Sequence, residues 1–103
     1  MALTRTTDHN EELTVDLGFA EALASVVAAY QKVGKVKSIQ EKFGRVVGSV
    51  GSGTLNMNKA TVTVIVEQID NSRSKVSFKA SAQEGLIQQN TAAKAVTRIL
   101  DAL

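Results

Sequence analysis

The stretch Ala60-Thr61-Val62-Thr63-Val64-Ile65-Val66-Glu67-Gln68-Ile69, the turn Asp70-Asn71-Ser72-Arg73, and the run Lys75-Val76-Ser77-Phe78-Lys79-Ala80-Ser81-Ala82 decide the fold class. In an extended chain Val62, Val64 and Val66 share one side, with Thr61, Thr63, Ile65 and Glu67 on the other. Past the turn, Val76, Phe78, Ala80 and Ala82 alternate in the same way with Lys75, Ser77, Lys79 and Ser81. Period-two alternation on both sides of a short polar turn predicts an antiparallel hairpin with one buried face.

Working upstream, Gly51 to Lys59 has the glycine and asparagine content of a loop. Before it, Lys35 to Gln40 reads as a short strand, Glu41-Lys42-Phe43-Gly44 as a tight turn, and Arg45 to Val50 as a second strand. Glu12 to Leu17 alternates apolar and polar residues and predicts a first strand. Between them the period changes. Phe19, Leu23, Val26, Val27, Tyr30 and Val33 recur at helical spacing among five alanines, with Lys32 in the last turn and Gly34 as a C′ stop. Downstream of the hairpin, Leu86, Ala93, Val96, Leu100 and Leu103 form a second helical stripe, widened by Ala92 and Ile99, whose start lies near Leu86 or at an Asn90 or Thr91 cap.

The order is β-α-β-β-β-β-α, and its economical packing is a two-layer α+β domain: an antiparallel sheet with two helices on one face. The core is expected on Phe19, Leu23, Val64, Phe78, Val96 and Leu100. The opposite sheet face would carry Val47, Ser49, Thr61, Thr63, Ile65, Lys75, Ser77, Lys79 and Ser81, too polar for a core and only lightly charged. At 103 residues the chain fits one domain, residues 12–103, led by a polar, flexible segment at 1–11.

Taken as residues 44–48, a glycine-rich loop, Val62 to Val66, a turn, Lys75 to Ala80 and a closing helix, the pattern resembles small bacterial domains of unknown function. Those are similar to half of a TATA-binding-protein-like fold. The resemblance covers about residues 12–103 and implies a helix-covered antiparallel sheet, with no catalytic residues to transfer.

Composition removes whole classes of chemistry. With no cysteine and a single histidine, His9, disulfides, thiolate chemistry and a zinc centre within one copy are excluded. Four aromatics and no tryptophan disfavour sites that grip bases, sugars or flat cofactors by stacking. No cofactor is expected. The first residues lack an apolar signal region, and the longest apolar run, Ala22 to Tyr30, is far short of the ~20 residues that span a bilayer. No membrane span and a cytoplasmic location are therefore expected.

Candidate chemical sites weaken on inspection. Gly48-Ser49-Val50-Gly51-Ser52-Gly53 is glycine-rich, but it leads into a strand without the Lys-Ser or Lys-Thr ending of a phosphate loop. Asp8, His9, Glu11 and Glu12 lie on a polar terminal segment with nothing to enclose them; Glu67, Asp70 and Glu84 flank turns. An enzyme is not expected. Charge is uneven: residues 1–21 hold five acids against one base, and residues 22–103 hold eleven bases against five acids.

Lys32, Lys35, Lys37, Lys42 and Arg45, joined by Lys75 and Lys79, form the candidate anion or partner surface. Nucleic acid is the less favoured partner, since without exposed aromatics any contact would be to the backbone alone. Phe43 and Tyr30 are expected as core or turn plugs, and Leu55 and Met57 as partner-facing anchors or core-edge residues. The expected function is a non-catalytic binding or assembly module, a homodimer formed through an edge strand or the Thr/Ser/Val sheet face. A protein partner, or a weak anion or nucleic-acid backbone contact through the basic cluster, is the alternative.

Overall fold

The computed structural model describes residues 5–51, 59–84 and 90–103. In chain order they form β1 (Arg5–Val15), α1 (Phe19–Val33), β2 (Gly34–Gln40), a 3-10 turn (Glu41–Phe43), β3 (Arg45–Gly51), β4 (Lys59–Asp70), β5 (Arg73–Glu84) and α2 (Thr91–Ala102). The strands make one antiparallel five-stranded sheet in the order β1-β5-β4-β3-β2, with the two helices on one face. This is the expected two-layer α+β architecture.

The hairpin that decided the fold is its centre. β4 and β5 pair from Thr61 opposite Ser81 to Asp70 opposite Arg73, and Val62, Val64, Val66, Val76, Phe78, Ala80 and Ala82 are all buried. Its turn is fixed by Asp70, whose Oδ1 accepts from the Ser72 amide (2.9 Å) and whose Oδ2 accepts from Arg73 Nε and Nη2 (3.0 and 2.9 Å). The Ser72 amide and then the Arg73 guanidinium hold this carboxyl below its ordinary range. Depressed in the fold, the group contributes stability above the ordinary aspartate pKa, and that contribution is lost as pH falls through the lowered value. Asp70→Ala is thus expected to flatten the acid limb of a stability–pH curve measured by urea melts.

α1 matches its expected span. Ala22, Leu23, Val26, Ala29 and Tyr30 are buried along one face. Gly34 ends the helix as expected: its backbone is extended, its N–H donates to the Tyr30 carbonyl, and the chain passes straight into β2. The left-handed glycine is Gly44, at φ +62°, where the 3-10 turn ends. A Cβ there would collide with the Val66 carbonyl and lie 2.8 Å from the Phe19 ring. Phe19 therefore closes the rim of the core over a glycine, half-buried, and does not sit at the centre.

α2 begins at Thr91, after Asn90 in a left-handed conformation. Ala92, Val96 and Ile99 of the expected stripe are buried, and Ala95, which was not expected, is buried beside them. Leu100 is half-buried and Leu103 exposed. β1 starts at Arg5, ahead of the expected Glu12, and takes in most of the segment read as a polar lead. Of the loop expected at Gly51–Lys59, Gly51 ends β3 and Lys59 starts β4, while residues 52–58, with Leu55 and Met57, lie outside the described residues, as does Leu86.

Candidate binding surfaces

Between sheet and helices the described residues form a core. Tyr30, Phe78 and Ile99 are its largest fully buried side chains, packed among valines from β3, β4 and β5. Tyr30, expected as a core or turn plug, is core; Phe43, at 67% exposed, is not.

The basic residues do not gather in one place. Lys32, at the end of α1, and Lys35, at the start of β2, border one hollow with Lys59 and Ser49. Lys37 lies at a bulge in β2 between Val36 and Ser38. Lys42 and Arg45 flank Gly44, beyond the far end of β2. Lys75 pairs across the β4–β5 ladder with Glu67 of the same chain, Nζ to Oε2 3.6 Å. Lys79 sits on the outer sheet face in a shallow hollow with Asp8, Asn10, Thr61, Thr63 and Ser81. Sequence reading left Lys59 out, because the loop before it separates it from the other bases.

The outer face is a set of cross-strand rows. Lys35, Ser49, Thr61, Ser81 and Asp8 form one; Ser38, Val47, Thr63, Lys79 and Asn10 the next; Gln40, Arg45, Ile65, Ser77 and Glu12 a third. Each row runs from a β2 end to a β1 end. In two of them a basic residue stands at or next to the β2 edge and a carboxylate at the β1 edge. Val47, Ser49, Thr63, Ile65 and Ser77 are half-buried there by their neighbours.

His9 Nε2 lies 3.8 Å from Glu11 Oε2, both partly exposed. Among the described residues no three His, Asp or Glu side chains gather as metal ligands would. Among these residues, too, no helix is long and apolar enough to cross a membrane.

A second surface was not anticipated from the sequence. Phe19, Leu23, Val27 and the exposed face of Ala20, Ala24 and Ala28 on α1 line a groove with Ile39 and Glu41. Ile39 reaches it because the β2 bulge shifts the register: Ser38 is opposite Val47 and Ile39 opposite buried Val46. The bulge could not be read from a short strand of mixed polarity.

No family model matches the chain, and no curated protein matches it in sequence. Solved structures do match. The crystal structure of Ara h 8.0201 superposes with a TM-score of 0.70 over 95% of this chain and 94% of that one, at 15% identity. The di-domain aromatase/cyclase BexL from the BE-7585A biosynthetic pathway does so with a TM-score of 0.57 over 92% of this chain, at 13% identity. This chain spans 41% of BexL's length. The likeness is to a helix-grip, Bet v 1-like fold and corrects the TATA-binding-protein-like resemblance. Both arrangements cover an antiparallel sheet with helices, and element order alone does not distinguish them.

Proposed function

We propose that this domain is a non-catalytic binding and assembly module that associates with further copies of itself through its exposed sheet, in the cytoplasm. The observation that carries the reading is the outer sheet face, where Val47, Thr63, Ile65 and Ser77 lie half-buried in cross-strand rows of few charges. Among the described residues the sheet also ends in two strands, β1 and β2, each paired on one side only. Sedimentation at micromolar concentration is expected to give a species of at least twice the 10.9 kDa chain mass. A single 10.9 kDa species at every concentration overturns the proposal.

One observation favours a second reading, a weak anion binder: Lys32, Lys35 and Lys59 border the same hollow. Polyphosphate or single-stranded nucleic acid would then bind at low salt and dissociate steeply as salt rises. Exchanging the three lysines for glutamine would flatten that dependence, and no binding at low salt removes this reading.

A further inference from the structure

We infer that copies of this chain join head to tail, the β1 edge of one against the β2 edge of the next; the inference rests on the self-association proposed above. β1 and β2 are the two ends of the sheet, so among the described residues each leaves one side of its backbone without a strand partner. The two edges carry opposite charge. β1 has three carboxylates, Asp8, Glu11 and Glu12, against one arginine, while β2 has Lys35 and Lys37 and no acid. All five of these charged side chains are exposed.

Charge on an edge strand commonly serves to prevent pairing. Here it prevents only some pairings. In an antiparallel sheet of five strands the first and last run in the same direction, so β1 and β2 are parallel to each other. A two-fold axis normal to the sheet would bring β1 against β1, or β2 against β2, antiparallel. It would set Asp8, Glu11 and Glu12 against their own copies, or Lys35 and Lys37 against theirs, and like charges on neighbouring strands repel. Placing β2 beside β1 with the helices on the same face gives a parallel pair in which lysines meet carboxylates. The charges thus block both symmetric edge dimers and leave the unsymmetric contact open.

The two edges differ in length, 7 residues in β2 against 11 in β1, and the bulge at Lys37 interrupts the shorter one. The contact is therefore limited and charge-dependent. It weakens with added salt, and because it is heterologous it builds rings or chains of copies.

Two reversed proteins test the inference: one carrying Lys35→Glu and Lys37→Glu, the other Glu11→Lys and Glu12→Lys. All four positions are exposed, and thermal melts coincident with wild type confirm that each variant folds. Each alone should self-associate at least about ten-fold more weakly than wild type, since its two edges now carry the same sign. An equimolar mixture should regain association, because the acidic β1 of the first variant meets the basic β2 of the second and the converse edges match as well. Wild-type association that neither variant weakens, or a mixture that stays monomeric, overturns the head-to-tail arrangement and leaves self-association through the outer face standing. A wild type that is monomeric throughout overturns both.

Discussion

Replacing Phe78 with alanine is expected to destabilise the domain by about 3–5 kcal/mol, the range for removing a fully buried aromatic side chain. Phe78 is 1% exposed and occupies the middle of β5, opposite Val64 of β4 and Glu11 of β1. It is the largest side chain that the sheet contributes beneath the helices, and nothing on an antiparallel ladder can move to refill the space without breaking strand pairing. Chemical denaturation of Phe78→Ala against wild type reads the loss directly. Lys79→Ala, one residue along and on the exposed face, should stay within ~0.5 kcal/mol. A Phe78→Ala effect that small would mean that the two faces of β5 are exchanged.

Phe78 was legible because alternation over a long strand leaves only one face for the apolar residues. The same logic placed Val62, Val64 and Val66, and the alanine-supported spacing of Leu23, Val26 and Tyr30 placed α1. α2 was harder. The expected stripe held Ala92, Val96 and Ile99, which are buried, but it also held Leu100 and Leu103 and passed over Ala95, since leucines weigh more than alanines in an apolar count. β1 was legible only where it alternates; from Arg5 to Asn10 it is polar on both sides and owes its conformation to pairing with β5, a partner far away in sequence.

The candidate surface was less legible than the fold. Lys35 and Lys42 are near neighbours in sequence, yet the length of β2 lies between them. Lys75, expected as part of the anion or partner surface, is tied across the ladder to Glu67 of the same chain. Conversely, the charge imbalance between residues 1–21 and the rest was visible from the start, but its meaning depends on strand order. Only with β1 and β2 at opposite ends of the sheet does it become a difference between two edges.

The second large effect is expected at Tyr30. The residue is fully buried, and its phenol donates a hydrogen bond of 2.8 Å to the Val62 carbonyl, tying α1 to the central strand β4. Its ring lies over β3 at Gly48, where a Cβ would come within 3.0 Å of the ring carbon Cε1 and collide with the Lys35 carbonyl. Tyr30→Ala removes both the packing and the tether and should cost about 3–5 kcal/mol, as for other buried aromatics. Tyr30→Phe keeps the packing and should cost about 1 kcal/mol, the net worth of one hydrogen bond. Gly48→Ala should cost about 1–3 kcal/mol by overpacking the same contact from beneath. The phenol also gives a signature in alkali. Burial pushes its pKa well above the ordinary tyrosine value, so the folded state resists ionising a group that ionises readily once unfolded. The resulting stability is complete below about pH 10 and is lost as pH rises beyond it, because the unfolded chain then gains by releasing the proton. Urea melts between neutral pH and pH 11 should therefore fall more steeply for wild type than for Tyr30→Phe. Parallel curves would show that the Tyr30 hydroxyl is open to water, and with it the layer between α1 and the sheet.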